Sequence, residues 1–171
     1  MTGDLKTRAA TSQDASDVAR LCWAYRDLLV ARSGGMPPIV DAYYGRESYI
    51  KLIADLPRIH ARPKGDIVLA SLDDEVVGCA MYYPLTTPGV TEIKRVFVDP
   101  DARGKGAGRA LVQACMARAR VDGYSRMVLD TMVRLSEAIA LYERLGFKPC
   151  APFYEPRPEF EPYLRFFDHP L

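Results

Sequence analysis

The chain has 171 residues, 49% of them hydrophobic, with 23 Lys and Arg against 22 Asp and Glu. That length suits one domain, residues 1–171, with a full core. A net charge of +1 supplies no global field for nucleic acid or an anionic membrane, so any anion site must be local.

"LKTRAAT" alternates as a strand, and "TSQD" reads as a helix start, with Thr11 or Ser12 capping and Asp14 at the positive end. Val18, Leu21, Cys22, Tyr25, Leu28 and Leu29 recur at helical spacing and carry this helix to about Ala31. Ser33-Gly34-Gly35 and Pro37-Pro38 then stop it. A second helix is expected over about 46–56, with Tyr49, Ile50, Ile53 and Leu56 inward, ending at Pro57. "DIVLASL" (66–72), "EVVGCAMYYPL" (75–85) and "TEIKRVFVDP" (91–100) are strands whose short links imply an antiparallel meander. A helix from 106 to about 121 should bury Ala107, Ala110, Leu111, Ala114, Cys115 and the stem of Arg118. "SRMVLDT" is a strand and "RLSEAIALYERLGF" a helix closed by Gly146. "KPCAPFYEPRPEFEP" reads as a loop and "YLRFFDH" as the last strand.

Cys22, Cys79, Cys115 and Cys150 stand far apart in apolar stretches, without a C-x-x-C pair, and read as buried reduced thiols. No segment has the apolar run of a signal peptide or a membrane span, so a cytoplasmic protein is expected. His60 and His169 are the only histidines, too few for a histidine-based metal site or a Ser-His-Asp triad, and no metal is expected.

"DPDARGKGAGRALVQ" spaces Gly104, Gly106 and Gly108 two apart, with Arg103, Lys105 and Arg109 around them and a helix behind. Glycines let backbone N–H groups approach an anion, the helix start adds unpaired N–H groups, and the cations add charge. A diphosphate is the natural guest; a tight turn with surface cations is the plainer alternative. A P-loop is excluded, because Gly108 is followed by Arg109 and Ala110 rather than a lysine and a hydroxyl. A dinucleotide fingerprint would need a small residue where Arg109 stands, although Asp130, 22 residues after Gly108, suits it.

The run "EIKRVFVDPDARGKGAGRALV" resembles the central motif of the GNAT superfamily of acyl-CoA-dependent N-acetyltransferases, and "AIALYERLGF" (138–147) its second motif. Two motifs in the right order with one strand between them are more specific than either alone. The resemblance covers roughly residues 5–150 and implies an α/β fold, a mixed, mostly antiparallel sheet of about six or seven strands with about four helices. It implies acetyl-CoA as cosubstrate, its diphosphate on the amides of Arg103, Gly104, Lys105, Gly106, Ala107, Gly108 and Arg109. Its pantetheine arm would lie along Val96, Phe97 and Val98. The pattern of that strand agrees: strict alternation mixes charge with core on both faces, and a bulge near Arg95–Val96 would relieve the conflict.

The resemblance also places Glu92 where some members carry the general base, the other reading being a strand glutamate paired with a lysine. Tyr142 aligns with the tyrosine that protonates the departing thiolate, or is simply core with Ile139 and Leu145. Leu135 stands where many members have an asparagine that contacts the cofactor. The acceptor, a small-molecule or peptide amine, would enter near Tyr43, Tyr44, Glu47, Tyr49, Phe153, Tyr154 and Glu155. Those residues equally suit a homodimer interface or plain packing, and packing is the favoured reading. A non-catalytic acyl-CoA sensor and a dinucleotide-dependent oxidoreductase are the rival functions.

Overall fold

The computed structural model describes residues 3–171. Seven strands form one sheet: β1 (Leu5–Ala9), β2 (Asp66–Leu72), β3 (Glu75–Pro84), β4 (Val90–Val98), β5 (Arg126–Met132), β6 (Lys148–Pro149) and β7 (Leu164–Pro170). Their order is β1-β2-β3-β4-β5-β7-β6, and every neighbouring pair is antiparallel except β4 with β5. Connection length explains the exception. Asp73 and Asp74, both at positive φ, turn β2 directly into β3, whereas β4 and β5 are joined by a crossover that contains α4 (Ala107–Val121).

Helices cover both faces. α1 (Ala15–Arg32) and α3 (Arg46–Ile59) bury Leu21, Cys22, Tyr49 and Leu56 against Leu69, Cys79, Met81 and Phe97. α4 and α5 (Ser136–Arg144) bury Leu111, Cys115 and Tyr142 against Val68, Ala80, Ile93 and Leu129. Because both faces are covered, β2 is buried along its whole length and shows no alternation. A third cluster, Leu29, Ile39, Val40, Met132, Leu164 and Phe166, closes the end of the sheet.

Several expectations need correction. α3 runs through Pro57 to Ile59; a proline near a helix end removes one N–H, and Leu56, fully buried, still accepts from His60 at 3.0 Å to close the turn. Ile50 on that helix is 51% exposed rather than inward. A six-residue helix, α2 (Ile39–Tyr44), follows Pro38, where none was expected. The proline-rich loop contains β6, which pairs Lys148 and Pro149 with Asp168 and Phe167. Ala110 and Ala114 are half-buried, while Val112, Met116 and Ala119 complete the buried face of α4. Cys150 is partly exposed, unlike the other three thiols.

The chain enters α1 through a capping box between Thr11 and Asp14. The Asp14 carboxylate accepts from both Nη atoms of Arg8 (2.8 and 2.7 Å) and from the Thr11 N–H (2.7 Å). The Arg8 bonds, with those from Thr11, hold its carboxyl well below the usual range. A carboxyl depressed by folding contributes stability in full above its unfolded pKa, about 3.9, and loses it as pH falls toward the folded value. Asp14→Asn, which leaves the Thr11 cap and an oxygen for the Thr11 N–H but removes the charge, should cost about 1–2 kcal/mol at pH 7. In urea titrations at pH 7 and pH 3 the gap from wild type should narrow at the lower pH; a constant gap would show that the charge contributes nothing.

Gly78 on β3 faces Val98 at the irregular end of β4. A Cβ there would lie 2.8 Å from the Phe97 carbonyl oxygen and 3.1 Å from Leu111 Cδ1. Backbone cannot yield as a flexible side chain does, so Gly78→Ala should destabilise by about 1–3 kcal/mol. At roughly 2–4 °C per kcal/mol for a chain of this size, the thermal midpoint reads it directly.

Candidate active site

The site begins with a fault in β4. Its register against β3 jumps from Met81↔Lys94 to Cys79↔Phe97, so Arg95 and Val96 together oppose Ala80. Arg95 takes φ +51°, the left-handed region. This is the bulge expected from the alternation conflict: it lets Lys94 and Phe97 keep to one face, with Met81 and Cys79, while Ile93 and Val96 pack on the other. On the other edge of β4 the neighbouring strand is lost just before this point. β4 pairs with β5 only through Val90, Thr91 and Glu92, and from Ile93 onward the two parallel strands diverge.

On one flank of the divergence lies a cavity of about 500 Å³, lined by Val96, Phe97 and Val98, by the glycine turn, and by Leu135, Ala138, Leu141 and Tyr142 across from them. Gly104 and Gly106 have φ +76° and +86°, a conformation that disfavours any side chain. Gly106 is the N-cap of α4 and has no side chain to bond the first turn, which leaves those N–H groups free for an anion. Arg32, Arg103, Arg109 and Arg144 line the same cavity against one carboxylate, Glu137, which is bonded to Arg32 at 3.0 Å. Arg103 is held by its Nε–H donating to the Val98 carbonyl (3.1 Å) and by stacking 5.8 Å over the Phe97 ring. A diphosphate fits this cationic, Cβ-free cradle. Of the residues named from sequence, only Lys105 stands outside the lining, exposed.

On the other flank lies a cavity of about 420 Å³ that contains Glu92, Lys94, Arg95 and Asp130 under a cover of tyrosines. Glu92 is 3% exposed; Lys94 Nζ donates to its Oε1 at 2.8 Å and the Tyr83 hydroxyl to its Oε2 at 2.5 Å. Asp130 lies 3.8 Å from Lys94 Nζ and accepts from the Tyr154 hydroxyl at 2.7 Å. Burial pulls the Lys94 pKa down, but the charges of Asp130 and Glu92 and the nearby phenols outweigh it and the ammonium is stabilised.

Tyr43, Tyr44, Phe153 and Tyr154 line this cavity, although packing was the favoured reading for them, whereas Glu47 and Glu155 lie outside it. Tyr49 is core, 1% exposed, with its hydroxyl on the Cys22 carbonyl (2.6 Å). Tyr25, Tyr83, Lys94 and Arg95 were missed; the bulge that turns β4 was the one signal pointing to the last two. Asp130 belongs to this flank and not to the glycine turn. In an otherwise antiparallel sheet, that removes the dinucleotide reading.

Tyr142 and Tyr25 stand where the flanks meet, lining a narrow gap between the strands with Val96, Lys94 and Asp130. The Tyr142 hydroxyl makes no hydrogen bond among the described residues, and burial, with the charge of Asp130, raises its pKa. It therefore holds its proton at neutral pH.

The acetyltransferase (GNAT) family model matches residues 35–147. An uncharacterized N-acetyltransferase of Schizosaccharomyces pombe is 38% identical over 104 residues, covering 60% of this chain and 63% of that protein, so the chain spans less than two thirds of that relative's length. IAA acetyltransferase of Azospirillum brasilense is 37% identical over 111 residues, 65% of this chain and 71% of that protein. Among solved structures, a GNAT family acetyltransferase from Staphylococcus aureus superposes with a TM-score of 0.72 at 14% identity, covering 98% of this chain and 99% of that one. The protein yncA of Salmonella typhimurium, solved with its cofactor acetyl-CoA, does so at 0.68 and 18% identity over 97% and 93% of the two chains. With the glycine turn, the bulged strand and its divergence from β5 all inside the matched segment, the chain belongs to the GNAT family of acetyltransferases.

Proposed function

We propose that the chain transfers the acetyl group of acetyl-CoA directly to a primary amine of a small molecule or peptide. The divergence of β4 from β5 carries this reading, because one opening joins a cationic cradle on one flank to a carboxylate-bearing, aromatic cavity on the other. Acetyl-CoA supplies an activated thioester carbonyl. The amides of the glycine turn and α4, with Arg103 and Arg109, hold the diphosphate, and the unpaired edge of Val96–Val98 offers N–H and C=O groups to an extended arm. Leu135 contributes apolar contact where many members have an asparagine.

An amine arrives as an ammonium and must lose a proton before it can attack. Glu92 is the base in this reading, directly or through a water; each of its oxygens has a lone pair beyond the bond it already accepts. Tyr142 gives its proton to the leaving thiolate, for which a protonated phenol with no competing bond is suited. A non-catalytic acyl-CoA sensor is the second reading, favoured by the double engagement of Glu92 with Lys94 and Tyr83. Among the described residues no helix is long and apolar enough to cross a membrane.

Acetyl-CoA at about 100 times its Kd should add about 2.7 kcal/mol and raise the thermal midpoint by roughly 5–11 °C, while NAD should leave it unmoved. A shift with NAD alone would overturn the cofactor assignment. Amine-dependent thiol release across a broad panel then separates enzyme from sensor. Glu92→Gln and Tyr142→Phe should each lower kcat by about 10-fold or more and keep the acetyl-CoA shift; full turnover in either variant would take that residue out of the chemistry.

A further inference from the structure

Arg95 is the least explained residue of the acceptor flank. It is 7% exposed, lines the cavity, and lies within 4.0 Å of no carboxylate among the described residues, because Glu92 and Asp130 are both turned to Lys94. Its Nη1 reaches the Met81 sulfur at 3.9 Å, and its buried Nε has no partner at all. The groups around it are the phenols of Tyr25, Tyr44 and Tyr49 and the thiol of Cys22, whose pKa is lowered by its hydrogen bond with Cys79 and by the charge of Arg95; no carboxylate is among them. Packing alone gives no reason for a guanidinium here: a buried charge is expensive unless paired, and an apolar residue of similar volume would fill the space at less cost. The bulge makes the choice more pointed, since Arg95 also holds a left-handed backbone that arginine does not favour.

We infer that Arg95 is the anchor for a carboxylate on the acceptor, so that the substrate is a short amino carboxylate with an apolar or aromatic body, such as a hydrophobic free amino acid. This rests on the acetyl-transfer reading above and names its substrate class. A guanidinium pairs with a carboxylate through two parallel N–H bonds, and the Nη end of Arg95, whose one contact is the 3.9 Å approach of Nη1 to the Met81 sulfur, is free to offer them to an entering ligand. The rest of the cavity fits the body of such a molecule: Leu29, Ile39, Val40, Phe153 and Leu164 line the side away from the charges. Arg95 lies three residues along β4 from Glu92 and next to the strand gap lined by Tyr142. Arg95 and Glu92 line one cavity of about 420 Å³, so amine and carboxylate belong to a molecule small enough to fit it, which favours a free amino acid over the N-terminus of a peptide, whose carboxylate is remote.

The test compares matched amines with the wild-type protein and acetyl-CoA: phenylalanine, phenylalaninamide, phenethylamine and the dipeptide Phe-Ala. Phenylalanine should exceed the others in kcat/KM by about 100-fold, mostly through KM. Equal turnover of phenylalaninamide or phenethylamine would overturn the inference while leaving acetyl transfer intact; preference for Phe-Ala would replace the free amino acid by a peptide. A binding arm stands apart from turnover. With coenzyme A present, 3-phenylpropanoate, which cannot be acetylated, should raise the thermal midpoint of wild type and not of Arg95→Met, whereas phenethylamine should act equally on both. If Arg95→Met does not fold, Arg95→Lys, which keeps the charge but loses the fork, should bind 3-phenylpropanoate about 10-fold more weakly. No shift with 3-phenylpropanoate in wild type would also overturn the anchor, whatever the panel shows.

Discussion

The opening of the sheet at a single irregular residue pair is the constraint on which the remaining architecture rests. A regular β4 would continue its pairing with β5 past Glu92 and bury the space between them. With Arg95 left-handed and Val96 the extra residue against Ala80, the strand bends away instead. The strained backbone costs of order 1–3 kcal/mol, and it persists because the residues beside it are fixed: Ile93 and Phe97 are buried on opposite faces, and Gly78 gives the bent strand room that a Cβ would deny. Strain, core and glycine are one device, and both cavities are its product.

The two flanks solve electrostatics differently. Around the glycine turn the cations are mostly on the surface, where salt screens them and each contributes modestly. Their number against the single Glu137 and the oriented amides of α4 make the sum favour an anion. On the flank of Glu92 the charges are buried or half-buried and few, so pairing decides. Glu92 and Asp130 share one ammonium, that of Lys94, and Arg95 has phenols in place of a counter-ion. A balanced total of two carboxylates and two cations thus hides an uneven arrangement.

What the sequence made legible follows from how local each signal is. β2, β3 and β4 were read nearly to the residue because turn residues bracket them, and the glycine turn because positive φ leaves a chemical trace at Gly104 and Gly106. The bulge was readable because charged and apolar residues conflict in "EIKRVFV". α2 was not, since six residues carry less than two turns of periodicity and form against Leu29, Met132 and Phe160. β6 exists only because β7 lies beside it. Lys105 shows the limit at the candidate site: spacing put it with its neighbours, but of these three exposed cations only Arg103 and Arg109 line the cavity. Tyr25 looked like one more core position of α1, and only the packing of α1 across the divergent strands reveals it as part of both cavities.

The same uneven charges bear on how an amine would lose its proton under the proposed reaction. An ammonium entering beside Lys94 and Arg95 meets two cations already present, and like charges at short range lower the pKa of the newcomer. Glu92 acts in the opposite sense, favouring the charged amine until it takes the proton itself. Which prevails depends on how far Lys94 neutralises Glu92, and the 2.8 Å contact between them means that most of that carboxylate's field is already spent. In that reading Lys94, which no motif singled out, acts in both directions: it weakens the hold of Glu92 on the ammonium and also makes Glu92 a weaker base, while Asp130, 3.8 Å from Lys94 Nζ, adds a second carboxylate that favours the charged amine.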